Sequence, residues 1–391
     1  VKILYISHKP IYPKIDGGCV AMSNFLDLLL TNNYEVKHLT IETNKHPFNI
    51  SNYPQEIVLK TNPEAIKIDT DVKITSALPY LFKSGSYNVQ RFYSKAMTSK
   101  IVETLKSSDF DIVILESLFS TPYLTEIRQN FKGKVFLRSH NVEFKIWEDL
   151  KNSAKNWLKK VYLNKLFKEI KKYEIETLSL VDGILTISQE DADFYRNITS
   201  TPIETISLAL NIDDSIPNDY SSENLFHLGG MDWKPNKEAA ERLIKLFPSI
   251  KNELPTSELH IIGKGTEVLA TENTSIFLDG FVDELAKHCI SIGILVTPII
   301  SGSGIRIKIL EMMALGIPVI TTTKGAQGID YINHNCLMIA DTNEEIIKAC
   351  VQLSADKNLR TEIGMNAKSY ISAHHSFSSI SEKLNKFLET K

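Results

Sequence analysis

Short apolar runs alternate with longer amphipathic stretches along the whole chain. VKILYIS at 1–7 predicts a buried strand, Met22–Leu30 a helix and EVKHLTI at 35–41 a second strand. That rhythm is the signature of βαβ units and a parallel sheet. DIVIL (111–115), KVFLRS (134–139) and DGILTIS (182–188) continue it, with helices between them and a long one over roughly 150–179. The pattern predicts a first doubly wound, Rossmann-like domain over 1–206. Segment 207–224, SLALNIDDSIPNDYSSEN, is rich in Ser, Asp, Asn and Pro and reads as a linker. The rhythm restarts with NLFHLGG (224–230), a helix near 236–252, ELHIIG (258–263), SIFLDG (275–280), GILVTP (293–298) and IPVITT (317–322). This predicts a second such domain over 225–376. A last amphipathic helix over 377–391 has the option of packing back on the first domain. The expected fold class is α/β, two doubly wound domains facing across a cleft. In open parallel sheets ligands bind beyond the carboxyl ends of the strands.

The chain's 391 residues exceed one ordinary hydrophobic core. With 43% hydrophobic and 23% charged residues it reads as globular, and a net charge of −3 excludes a globally basic nucleic-acid binder. Cys19, Cys289, Cys336 and Cys350 form no CxxC pair, which argues against a structural zinc site and for a reducing cytoplasm. No apolar run is long enough to span a bilayer, so membrane contact is expected from one side only. VKILYIS lacks a cleavage-site pattern and reads as a first strand rather than a signal peptide.

The stretch 298–330, PIISGSGIRIKILEMMALGIPVITTTKGAQGID, carries the chemistry. A strand ends at Pro298, the loop Ser301-Gly302-Ser303-Gly304 follows, and a helix, IRIKILEMMAL, runs to Gly316. A glycine loop at a helix N-terminus presents N–H groups and partial positive charge to a phosphate. Arg306 and Lys308, expected in the first turn, oppose the macrodipole there, which suits residues that hold an anion. A planar fork beside a point charge matches a diphosphate. Glu311, deeper in the helix, could accept both hydroxyls of a ribose. The alternative is a surface helix with solvated charges.

Four segments resemble the C-terminal domain of glycosyltransferase family 4, in a branch that builds surface polysaccharides. They are LGGMDWKPN (228–236), HIIGKG (260–265), LDGFVDEL (278–285) and GSGIRIKILEMMALGIPVITTTKGAQGI (302–329). Gly17-Gly18 after the first strand, RSHNVE (138–143) and YEIETLSLVDGILTISQEDADF (173–194) match more weakly, in the family's order. The resemblance implies the GT-B fold and a nucleotide-sugar donor. It implies that Glu311 binds the nucleotide ribose. An upstream glutamate that contacts the donor sugar in many members is replaced here by Ser303. Where members place an arginine and a lysine on the diphosphate, this chain has Gly230 and Asn236. Arg306 and Lys308 are inferred to replace them, with Lys234 and Lys237 as weaker candidates. Gly304 belongs to the same donor loop. His140 is implied near the donor sugar, the alternative being a capping or packing histidine. Gly17 and Gly18 would admit the donor phosphates, the alternative being a simple turn.

The implied activity is retaining transfer of a hexose-type sugar to a glycan or lipid-linked acceptor. No DxD-type metal motif stands in a convincing loop, so neither metal nor cofactor is expected. The rivals are a GT-B-type sugar-nucleotide epimerase and a non-catalytic sugar-nucleotide-binding subunit. Segment 151–178 holds eight lysines and three glutamates, with Trp157 among Lys151, Lys155, Lys159 and Lys160. Leu158, Tyr162, Leu166, Ile170 and Tyr173 recur at helical spacing. The stripe is expected to pack on the sheet. The lysines are expected to give weak association of a cytoplasmic protein with the inner face of an anionic membrane.

Overall fold

A computed structural model describes residues 1–71, 86–210, 217–302 and 304–389. The chain divides into two compact units, Val1–Leu208 with Ser381–Lys391, and Ala209–Ile380. Residues 211–216 of the expected linker lie outside the described residues.

The first unit is built on a seven-stranded sheet in the order β3-β2-β1-β4-β5-β6-β7. Its strands are β1 Lys2–Ser7, β2 Glu35–Glu42, β3 Glu64–Lys67, β4 Ile112–Glu116, β5 Lys134–Ser139, β6 Gly183–Thr186 and β7 Ile203–Thr205, and every pairing is parallel. β4 is buried along its whole length and β1 from Ile3 onward, so these central strands read as continuous apolar runs. The edge strands β3 and β7 are only half-buried, and the hydrophobic pattern did not reveal them. Strand order reverses between β1 and β4, which makes their carboxyl ends the switch point where such sheets bind ligands.

Two helices of this unit correct the sequence reading. The Asp16 carboxylate accepts from the Cys19 N–H at 2.8 Å and caps a helix over Gly17–Thr31. Gly17 and Gly18 therefore open a helix instead of lying in the preceding loop. The long helix expected over 150–179 is two helices, Glu143–Asn152 and Trp157–Leu178. The break falls where the Asn156 side chain caps the second helix, accepting from the Lys159 N–H at 3.2 Å. The C-terminal helix, Phe377–Glu389, places its last turns on this unit. Asn32 Nδ2 donates to Ser381 Oγ at 2.8 Å, Tyr34 donates to Asn385 at 2.7 Å, and Phe387 meets Phe136 at 5.7 Å between ring centres.

The second unit carries a six-stranded sheet in the order β10-β9-β8-β11-β12-β13. The strands are β8 Asn224–Leu228, β9 Leu259–Ile262, β10 Ile276–Gly280, β11 Gly293–Thr297, β12 Val319–Thr321 and β13 Met338–Ile339, again all parallel. Successive side chains feed opposite faces. Phe226 and Leu295 join Leu310 and Met313 on one face, while Leu225 and Ile294 join Phe247 and Leu353 on the other. Each such fully buried side chain contributes roughly 1.5–3 kcal/mol relative to exposure. The switch point of this sheet lies between β8 and β11.

Candidate functional site

In the second unit, the loop after β11 turns through Gly302 at φ +86° and Gly304 at φ +85°. That left-handed region favours glycine. A Cβ on Gly302 would come within 3.1 Å of carbons of both Trp233 and Pro235, so the loop is packed against the start of the helix Lys234–Glu253. Ser303 lies outside the described residues.

The helix that follows is Ile307–Ala314, and Arg306 is its N-cap residue, not a member of its first turn. Its backbone has ψ +91°, which is not helical, so the helix starts two residues later than the sequence suggested. The Arg306 side chain is 6% exposed. Its guanidinium lies 5.2 Å from the Trp233 ring centre, and Nη2 donates to the Ser301 carbonyl at 3.2 Å. Burial pulls its pKa down to about 10, which still leaves it charged at neutral pH. A desolvated cation at the positive end of a helix favours an approaching anion. Lys308 does sit in the first turn. It is half-exposed and pairs with Glu311 at 2.9 Å. These two residues, given separate roles by the sequence reading, thus hold each other without a ligand.

The weaker candidates are otherwise engaged. Lys234 pairs with Glu238 at 3.3 Å and Lys237 with Glu241 at 3.9 Å. Asn236 Nδ2 donates to the Gly230 carbonyl at 3.2 Å, which ties the turn after β8 to the helix.

In the first unit, the carboxyl ends of β1, β4 and β5 bring together a polar cluster that the sequence reading missed. Glu116 pairs in register with Ser7 on one side and Arg138 on the other. Glu116 and Arg138 are both almost fully buried. Tyr5 donates its hydroxyl to Glu116 Oε2 at 2.5 Å, and Arg138 Nη1 donates to Oε1 at 2.5 Å. His140, just past β5, bonds the same Oε1 through Nε2. Burial alone would raise the Glu116 carboxyl, but Arg138, His140 and the Tyr5 hydroxyl hold it down at about 2. An ionised acceptor requires a hydrogen on His140 Nε2, which leaves Nδ1 with the lone pair when the ring is neutral. His8 lies against the group, with Nδ1 3.3 Å from the Glu116 carbonyl oxygen and its ring 6.3 Å from that of His140. Burial drives its pKa down to about 3, so His8 is neutral. The available signal was a charge closing each of two apolar runs, DIVILE and KVFLR; that the two charges meet depends on strand adjacency.

At the start of the helix Gly17–Thr31, Lys9 Nζ lies 2.6 Å from Asp16 Oδ2, and a Cβ on Gly18 would stand 3.0 Å from that ammonium. Gly18 thus makes room for a lysine at the helix entrance. A cavity of about 360 Å³ in this unit lies at the opposite, amino-terminal strand edge, lined by Asp111, Arg128, Asp182 and Leu388 among others. It contains none of the candidate residues.

Residues 222–356 match the family model of glycosyl transferases group 1. The match covers about a third of the chain and lies within the second unit. It is 24% identical over 403 aligned positions to an uncharacterized 44.6 kDa protein in the cps region of Klebsiella pneumoniae, covering 96% of each chain. It is also 24% identical to an uncharacterized glycosyltransferase of Methanocaldococcus jannaschii, over 72% of this chain and 75% of that one. Among solved structures, Anabaena HepE in complex with UDP superposes with a TM-score of 0.68 at 12% identity, covering 99% of both chains. The fold is therefore the α/β, two-domain GT-B type. The matched stretch runs from just before β8 to the region beyond β13, so Arg306, Lys308 and Glu311 lie inside it. His140 and its buried partners lie outside it. Among the described residues, no helix is long and apolar enough to cross a membrane.

Proposed function

We propose that this chain is a retaining glycosyltransferase that moves a hexose-type sugar from a nucleotide-diphosphate donor to a glycan or lipid-linked acceptor. The observation that carries the reading is Arg306, a buried guanidinium fixed at a helix N-terminus behind a two-glycine turn. Negative charge builds on the departing diphosphate as the glycosidic bond breaks, and a cation already in place stabilises it without reorganisation. Lys308 would join by leaving Glu311, which frees the carboxylate for the ribose hydroxyls. Gly304 and Ser303 would bring the backbone close to the phosphates. His140, with its Nδ1 lone pair, would accept from a hydroxyl of the donor sugar, while Glu116 and Arg138 hold the ring. Gly17 and Gly18, with Lys9 beside them, would admit the donor phosphates. The acceptor hydroxyl would pass its proton to the leaving phosphate, a route that requires neither a metal ion nor a carboxylate pair. The UDP in HepE and the cps region of the Klebsiella relative support a nucleotide donor and a surface glycan as product.

The acceptor side of the reading includes the inner face of an anionic membrane. Trp157, Leu158, Val161 and Tyr162 are all exposed at the start of the helix Trp157–Leu178, although Leu166 and Ile170 of the same stripe are buried. The stripe was expected to pack on the sheet throughout, and its first turns do not. Lys155, Lys159 and Lys160 flank them, and apolar side chains beside lysines suit an anionic lipid surface.

The deciding experiment incubates purified protein with UDP- and GDP-sugars, with and without glycan acceptors, and follows both by mass spectrometry. Acceptor-dependent transfer supports the proposal. Donor hydrolysis or epimerisation that needs no acceptor, or binding without turnover, refutes it.

A further inference from the structure

Three ligand-type side chains converge at one edge of the second unit's sheet. His260 is in β9, Asp279 is in the edge strand β10, and His288 is in the helix Leu285–Ile292. Asp279 Oδ2 lies 2.9 Å from His260 Nδ1 and 2.8 Å from His288 Nε2. The three ligand atoms all fall within 4.8 Å of one another. The two imidazoles stand almost perpendicular, at 87°, so both point a nitrogen at one place instead of stacking. The His260 ring is held in plane by Phe277, stacked at 4.9 Å and 16°. Behind it, His260 Nε2 lies 3.8 Å from Glu258 Oε2.

A metal ion between the three groups would take the Nδ1 lone pair of His260, the Nε2 lone pair of His288 and the Asp279 oxygen. We propose that His260, Asp279 and His288 form a divalent transition-metal site with the donor set of zinc. Two imidazoles and one carboxylate supply three ligands, with water completing the tetrahedron. Mg²⁺ and Ca²⁺ are the wrong class, since they prefer oxygen donors throughout. Bonds of about 2.0–2.1 Å require ligand atoms about 3.3 Å apart in a tetrahedron. The two close contacts to Asp279 open by a few tenths of an ångström when the ion enters.

The ion's role is structural. Among the described residues β10 pairs only with β9, and it carries a register shift between Leu278 and Gly280. An ion on His260, Asp279 and His288 fastens that irregular edge strand to its neighbour and to the next helix. β11, which leads to Arg306, stands three places away in the strand order, so this site is distinct from the diphosphate residues.

The test uses the full chain after dialysis against chelator. Titration calorimetry with Zn²⁺ is expected to show one equivalent bound. A hundredfold excess over Kd raises the thermal midpoint by roughly 5–10 °C. Co²⁺ is expected to give visible bands without a thiolate charge-transfer band, since all four cysteines are buried. His288→Gln and Asp279→Asn are each expected to weaken binding more than tenfold, since even loss of an outer partner of a ligand costs about 10–100-fold. His288 is partly exposed, so its variant tests binding with little risk to folding. No stoichiometric uptake, unchanged affinity in both variants, or a thiolate band with Co²⁺ would each overturn the proposal. None of these readouts depends on transfer activity.

Discussion

Replacing Glu116 by glutamine keeps the shape of the side chain and removes its charge. Arg138, almost fully buried, then keeps its charge with no counter-ion at Oε1, and Tyr5 and His140 lose an ionised acceptor. Holding a carboxyl at about 2 instead of its ordinary value near 4.3 is worth about 3 kcal/mol, at 1.36 kcal/mol per pH unit. Breaking a buried ion pair from one side costs about 3–5 kcal/mol, which agrees. For a unit of this size that lowers the thermal midpoint by roughly 6–12 °C. The folded pKa is depressed, so the stabilisation is present above the unfolded value, near 4.3. It is lost as pH falls through about 2. Calorimetric scans of wild type and Glu116→Gln should therefore differ fully at pH 7 and by about half at pH 3. Adding Arg138→Met removes the orphaned charge and should recover most of the loss. A Glu116→Gln protein within 1 kcal/mol of wild type at pH 7, or a difference that does not change between pH 7 and pH 3, would refute the reasoning.

Arg306→Ala is expected to lower transfer by about 2–4 kcal/mol of transition-state stabilisation, read as kcat/KM, while Lys308→Ala loses less because that side chain is half-exposed. Wild-type rates in the Arg306 variant would remove it from the donor site. Glu311→Ala should weaken calorimetric binding of free UDP or GDP, whereas His140→Ala should spare the nucleotide and lower turnover; the reverse pattern would exchange their roles. Transfer assayed well below the thermal midpoint should keep its rate in EDTA, and a loss restored by Mg²⁺ or Mn²⁺ would mean that a metal serves the diphosphate. Vesicles containing anionic lipid should sediment wild-type protein at low salt but not a variant with Lys155, Lys159 and Lys160 changed to Glu, and absence of wild-type binding would leave the exposed Trp157 turn without a lipid role.

Much of the architecture was legible in the chain itself. Central parallel strands are buried on both faces, so β1, β4 and β11 appear as apolar runs, and β5 and β8 as apolar runs that admit Arg138 and His227, with ends fixed to within a residue or two. The glycine turn at Gly302 and Gly304 and the helix carrying Lys308 and Glu311 were also legible because loop and helix are local, although the helix begins two residues later than expected. What the sequence hid depends on distance along the chain or on half-burial. β3 and β7 are edge strands with one exposed side, and their hydrophobic signal is weak. The split between Asn152 and Trp157 turns on a single capping side chain within a helix-favouring, lysine-rich stretch. Arg306 was legible as a candidate anion-holding cation; that it is buried depends on the packing of Trp233 from another element. Tyr5, Glu116 and Arg138 come from three strands and His140 from just past the third, up to 135 positions apart, and His260, Asp279 and His288 from two strands and a helix. Local sequence determined the strands, helices and turns because their energetics involve near neighbours. The charge clusters were decided by strand order, which sets which chain ends lie side by side.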